Sequence, residues 1–131
     1  MRISEIMPSQ LELIDDFISA LLVRICQTPS AKHVAFDIKL ALHEAMINAV
    51  RHGNKMKKGL SVQVDIINEE GELTIQVKDQ GEGFDYKNIP DPITPDNLEK
   101  LNGRGIFLIQ NAMDRVEFAD RGRTIKMMKF L

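Results

Sequence analysis

Two polar residues four positions apart on an otherwise apolar stretch, Glu44 and Asn48, are the first place where chemistry is legible. On a helix that spacing puts their Cβ atoms roughly 5–6 Å apart on one face, so both can reach one ligand. A carboxylate among apolar neighbours is costly unless it meets a cation or handles a proton. An Asn amide oxygen is a hard, neutral ligand for Mg²⁺, and a carboxylate can orient or deprotonate an attacking hydroxyl or water, so the pair suits metal-assisted phosphoryl transfer. A purely structural Glu fits the pair as well. Zinc hydrolysis does not, because His43-Glu44 opens an H-E-x-x-H pattern whose second histidine position is Ile47. His52 falls four residues after Asn48, on about the same helix face, where a helix-end or packing role competes with a ligand-binding one.

Further on, Asp79-Gln80-Gly81-Glu82-Gly83 follows a strand directly. The alternate glycines permit a tight turn at which a flat ring can touch backbone. The Asp79 carboxylate can accept a hydrogen bond from an exocyclic amine such as that of adenine; an ordinary acidic turn is the competing reading. Asn102-Gly103-Arg104-Gly105 precedes a helix, and helix N-termini present free N–H groups to anions, so it reads as a phosphate cradle to which Arg104 adds charge. Without a Gly-Lys dipeptide there is no Walker A loop, and neither glycine pair has the third glycine of a dinucleotide fingerprint.

The elements that must carry these residues follow from periodicity. Pro8 to Ile25, with apolar residues at three- and four-residue spacing, predicts an amphipathic helix closed by Thr28-Pro29. Ser30 to about Arg51 predicts a second helix, capped by Ser30, apolar nearly all round and so buried between layers. Alternation over 60–66 and 73–77 around Asn68-Glu69-Glu70-Gly71 predicts a β-hairpin. Residues 85–102 hold three of the five prolines and read as a lid. A third helix over Gly105 to about Met113 and strands over 115–118 and 123–130 complete a β-α-α-β-β-lid-α-β-β order. This predicts an α+β fold: a two-layer sandwich with a mixed, mostly antiparallel sheet and three helices on one face.

With 131 residues, a formal charge of −2 and 44% hydrophobic residues, the chain reads as one globular domain over 1–131. No basic stripe invites nucleic acid. No apolar run reaches a membrane span, the N-terminus lacks the order of a signal peptide, and a single cysteine, Cys26, forms no intramolecular disulfide; the expected compartment is the cytoplasm.

Taken in order, Glu44-x-x-x-Asn48-Ala49-x-x-His52-Gly53, Asp79-x-Gly81-x-Gly83-Phe84 and Gly103-x-Gly105 resemble the N, G1 and G2 boxes of the ATPase superfamily that unites gyrase, the heat-shock chaperone, histidine kinases and mismatch-repair ATPases. Within it, the two leading helices and the run from Gly103-Arg104-Gly105-Ile106-Phe107-Leu108-Ile109 through Met113-Asp114 most resemble the bacterial anti-sigma-factor serine kinases. The resemblance implies the Bergerat fold with ATP and Mg²⁺ as cofactors. It makes Glu44 the catalytic base, Asn48 the Mg²⁺ ligand and Asp79 the adenine-reading carboxylate, with His52 and Phe84 inside the matching boxes. Gly81 and Gly83 shape the adenine pocket, and Gly103, Arg104 and Gly105 hold the phosphates. Thr124 matches the Gly-x-Thr strand that completes the adenine site, although an ordinary strand threonine fits equally. It further implies a homodimer that binds a sigma factor and phosphorylates a serine on an anti-anti-sigma partner. A histidine-kinase fragment is not expected, since the first histidine, His33, lies within the second helix, and a gyrase-type ATPase would need a further domain after Leu131. A serine/threonine kinase is the favoured reading, and an ATP-gated module that sequesters a partner without phosphotransfer is the alternative.

Overall fold

The two periodicities of the sequence become two layers in the computed structural model, which describes residues 1–83 and 104–131, Arg104 by its backbone alone. The segment read as a lid, together with Phe84 and Gly103, lies outside the described residues.

One layer is a five-stranded sheet of β1 (Arg2–Pro8), β2 (Ser61–Glu69), β3 (Glu72–Lys78), β4 (Arg115–Ala119) and β5 (Thr124–Phe130), in the order β1-β2-β3-β5-β4. Every pairing among these strands is antiparallel, so the parallel element allowed for in a mixed sheet is not among the described residues. The β2–β3 hairpin turns on Glu70 (φ 53°) and Gly71 (φ 77°), the double left-handed conformation whose twist matches that of the flanking strands. Val62, Val64, Ile66, Leu73, Ile75, Val77, Ile125 and Met127 are buried on one face, while Gln63, Asp65, Gln76 and Lys126 alternate with them.

Helices α1 (Ile14–Ile25), α2 (Pro29–His33), α3 (Ala35–Ile47) and α4 (Arg104–Ala112) form the other layer. From α1, Ile14, Ile18, Leu21 and Ile25 enter the core at four-, three- and four-residue spacing. The long second helix expected from Ser30 is instead three pieces. Thr28, not Ser30, is the cap: its side chain accepts from the Ala31 N–H at 3.2 Å, and Pro29 occupies the first helical turn. Thr28-Pro29 therefore starts a helix as much as it ends one. The chain bends at Val34 (φ −108°, ψ 14°) before α3 begins, and after Ile47 it widens into a π-helix over Asn48–Gly53, where the Asn54 N–H reaches back to the Ala49 carbonyl at 2.8 Å.

Lying between α1 and α4, α3 buries Ile38, Ala41, Leu42, Ala45 and Met46. The small residues Ala41 and Ala45 let the neighbouring helices come close. Lys129 donates to the last carbonyl of α4, Ala112 O, at 2.7 Å and pairs with Asp37 of α3 at 3.3 Å, so the far ends of the two site-bearing helices are tied through β5. Among the described residues no helix is long and apolar enough to cross a membrane.

Candidate functional site

The site is assembled where α3 meets the start of α4 and the ends of β3 and β5. Position 105 shows how closely the first pair approaches: a Cβ there would stand 3.3 Å from both Glu44 Oε2 and Asn48 Oδ1. Glycine at this position lets the head of α4 sit against the two polar side chains of α3, so the first and third motifs, sixty residues apart in sequence, share one corner.

Glu44 keeps 21% of its side-chain surface exposed, with His43 Nδ1 at 4.0 Å from its Oε1 and His43 Nε2 at 3.5 Å from Asp15 Oδ1. Asn48 Oδ1 is buried and has no hydrogen-bond partner among the described residues. An orphaned buried acceptor costs about 1–3 kcal/mol, which a ligand that supplies a cation or a donor would recover. The residues fit Mg²⁺ in one particular way. No group of three or more His, Cys, Asp or Glu stands ready to hold a metal among the described residues, so the protein alone does not cage an ion. One amide oxygen beside a free helix N-terminus suits an ion that brings phosphate and water ligands with it.

Next to this corner lies a cavity of about 270 Å³. Asn48, Ala49, His52 and Gly53 form one wall, Val77 and Asp79 another, and Ile106, Phe118 and Ile125 add apolar surface. Asp79 continues β3 by one residue, its N–H donating to Arg123 O at 2.9 Å, and its Oδ1 accepts from the Gly81 N–H at 2.9 Å. Burial pushes the Asp79 carboxyl above the usual range, against the opposing pull of the Gly81 N–H and the Arg123 guanidinium. The His52 imidazole is held below its ordinary value, first by burial and then by neighbouring Arg51.

Close approach explains the glycines. A Cβ on Gly53 would fall 2.3 Å from Asp79 Oδ2, and one on Gly81 would fall 1.8 Å from the Gly53 carbonyl oxygen. Gly83 combines a left-handed φ of 80° with only 2.2 Å to Arg121 O. Three chain segments therefore touch backbone to backbone around the Asp79 carboxylate. Gly53, read as a helix C-cap, is thus part of the Asp79 environment.

Of the residues picked out by sequence, Asn48, His52, Asp79 and Gly83 line the cavity, Gly81 buttresses it, and Glu44 and Gly105 flank it beside Asn48. Arg104 enters as the first residue of α4. Thr124 is buried, but the cavity wall is made by its neighbours Arg123 and Ile125, because alternation along β5 turns the intervening side chain the other way.

Two residues that sequence reasoning passed over hold the turn. Asn54, 1% exposed, donates to Ser9 Oγ at 3.0 Å and to Ser61 O at 2.9 Å while accepting the Gln80 N–H at 2.7 Å. Gln80 Oε1 in turn accepts the Ser61 N–H at 2.7 Å. Arg123 donates through Nε to Gly81 O at 2.7 Å and through Nη2 to Glu82 O at 3.3 Å. A Gly-Asn pair after a helix reads as a cap, and an Arg beside a turn as solvated surface, so neither carried its own signal.

Comparison with known proteins agrees with this arrangement. Residues 6–129 match the model of the histidine kinase-like ATPase domain. The serine-protein kinase RsbW of Staphylococcus aureus strain bovine RF122 / ET3-1 and that of strain MRSA252 are each 36% identical to the chain over 104 residues, covering 72% of this chain and 65% of theirs. The same protein from strain JH9 is 35% identical over the same length and coverage. The match thus takes in just under two thirds of the relatives' own length. With the family model running through almost all of its sequence, from β1 to β5, the chain belongs to the histidine kinase-like ATPase domain family.

Proposed function

We propose that the chain binds ATP with Mg²⁺ in this cavity and transfers the γ-phosphate to a serine or threonine of a partner protein, as a kinase of the anti-sigma-factor type. The observation that carries this reading is the corner at the head of α4, where a partnerless Asn48 Oδ1 and the Glu44 carboxylate face the same glycine beside the cavity that holds Asp79. The S. aureus relatives are named serine-protein kinases, which supports a hydroxyl acceptor.

In this reading Asp79 accepts the adenine amine, and Gly81 and Gly83 shape the base pocket with Phe84. His52 borders the nucleotide, and Thr124 backs the base end. The phosphates lie at the N–H groups of α4, with Gly103, Arg104 and Gly105 around them under a lid over 85–102. Asn48 holds the Mg²⁺ ion, which when bound offsets phosphate charge. Glu44 accepts the proton of the attacking hydroxyl as its oxygen bonds to the γ-phosphorus and the bond to the ADP oxygen breaks. Positioning and charge neutralisation supply most of the rate, so few side chains suffice. The chain works as a single cytoplasmic domain that dimerises, binds a sigma factor and phosphorylates an anti-anti-sigma protein.

The test pairs titration calorimetry with transfer of labelled phosphate to a co-purifying partner. Glu44→Gln should bind ATP·Mg²⁺ like the wild type and lose transfer, whereas Asp79→Asn should bind it weakly. Tight binding by the Asp79 variant refutes the adenine assignment. Wild-type protein that binds ATP but phosphorylates no captured partner would make it an ATP-gated sequestering module instead.

A further inference from the structure

The base end of the cavity contains a cation that the motifs do not account for. Arg123 lines the cavity, its carbonyl accepts the Asp79 N–H at 2.9 Å, and its guanidinium spans the two peptide groups between the paired glycines, reaching Gly81 O at 2.7 Å and Glu82 O at 3.3 Å. Its Nη1 lies 3.5 Å from Asp120 Oδ1. A planar fork with fixed donors can hold two carbonyls at one spacing, which a point charge on a flexible stem cannot.

The segment before it is independently unusual. Asp120 (φ 49°), Arg121 (φ 57°) and Gly122 (φ 81°) are three consecutive left-handed residues, two of them carrying a Cβ. Such backbone persists only where its surroundings impose it. Here Arg121 O seats against Gly83, so close that a Cβ on Gly83 would be 2.2 Å away. The strained turn delivers a carbonyl to one end of the 79–83 segment and the Arg123 side chain to its middle.

Resting on the ATP reading above, we infer that Arg123 is a positioning residue for nucleobase recognition: it clamps the Asp79–Gly83 turn so that the Asp79 carboxylate and the glycine backbone meet the base in one fixed geometry. The clamp acts at the base end alone. The attraction between the guanidinium and Asp79 works in the same direction, favouring the ionised acceptor against the burial and the Asp120 charge that oppose it.

Calorimetric titration of wild type, Arg123→Ala and Arg123→Lys with adenosine, inosine, ADP·Mg²⁺ and ATP·Mg²⁺ tests this. Losing charge-assisted hydrogen bonds that shape the pocket should weaken adenosine, ADP and ATP by one common factor of about ten or more. The preference for adenosine over inosine, which lacks the amine, should shrink in the same variants, a change that lowered stability alone would not produce. Arg123→Lys, keeping the charge without the fork, should fall between wild type and Arg123→Ala, and it decides the matter if the Ala variant does not fold. Unchanged adenosine affinity in a folded Arg123 variant, or a loss confined to ATP, overturns the clamp. Wild-type protein that takes up neither adenosine nor ATP sinks the ATP reading and the clamp together, whereas tight binding by wild type and variants alike sinks the clamp alone.

Discussion

Adding one methyl group at Gly81 tests the backbone contacts that form the base pocket. In Gly81→Ala the new Cβ would lie 1.8 Å from the Gly53 carbonyl oxygen and 2.6 Å from its carbon, where ordinary contact begins near 3.4 Å. The obstacle is backbone, so no rotamer change relieves it, and the two segments must part by well over an ångström. That motion carries the Gly81 N–H away from Asp79 Oδ1, now at 2.9 Å, and the Gly81 carbonyl away from Arg123 Nε, now at 2.7 Å. Overpacking of this kind costs about 1–3 kcal/mol of stability. At roughly 4 °C per kcal/mol for a domain of this size, Tm should drop by about 4–12 °C. Each hydrogen bond to a charged group is worth about 1.5–3 kcal/mol, so disturbing two should weaken ATP at least about tenfold even in the molecules that remain folded. Gly59→Ala is the control: Gly59 has a left-handed φ of 85° but nothing within 4 Å of a new Cβ, so it should cost about 1 kcal/mol and leave ATP affinity unchanged. Differential scanning fluorimetry with and without ATP·Mg²⁺, followed by calorimetry at a temperature where both variants are folded, separates the two effects. Wild-type affinity in folded Gly81→Ala would refute the reasoning.

Asn54→Ala strands the Gln80 N–H, the Ser61 carbonyl and the Ser9 hydroxyl together, and urea denaturation should register a loss of about 2–4 kcal/mol. Asn48→Ala removes an acceptor that has no partner among the described residues, so stability without ligand should hold within about 1 kcal/mol, while the dependence of ATP affinity on Mg²⁺ concentration should largely vanish. The Asp79 carboxyl titrates above the model value of 3.8 because of burial. Its contribution to stability is therefore complete below that unfolded value and is lost as pH rises through the folded one, so Asp79→Asn should gain on wild type in thermal scans from acid toward neutral pH. ATP binding should move the opposite way, strengthening over that range in wild type only; a parallel pH profile in both proteins would count against Asp79 as the acceptor.

Where a residue's neighbours in sequence are also its neighbours in space, the sequence was a reliable guide. The β2–β3 hairpin follows from strict alternation and an Asn68–Gly71 turn, and α1 from its apolar spacing. Glu44, Asn48, Asp79 and the glycine pairs stood out because polar or flexible residues interrupt strongly patterned elements. What stayed hidden depends on contacts across the fold. The break at Val34 answers to the Thr28 cap and Pro29, which compete with a continuous helical pattern. Arg123 and Thr124 differ by one position, and only the register of β5 against β3 decides which of them looks into the cavity. Asn54 matters through partners forty-five and twenty-six residues away.

The π-turn over Asn48–Gly53 bears on insertions and deletions rather than on substitutions. A π-turn holds one residue more than the α-helical turn it replaces. Removing any one residue between Ala49 and His52 would allow the segment to relax into ordinary helix. Everything after the cut would then turn by about 100° relative to Asn48. Gly53 would swing off the Asp79 carboxylate while Glu44 and Asn48 kept their places against Gly105. The interval from Asn48 to Gly53 therefore acts as a ruler between the phosphate end and the base end of the cavity. A relative with this stretch shortened by one residue would need a different way of seating the base, however many of the individual side chains it shared.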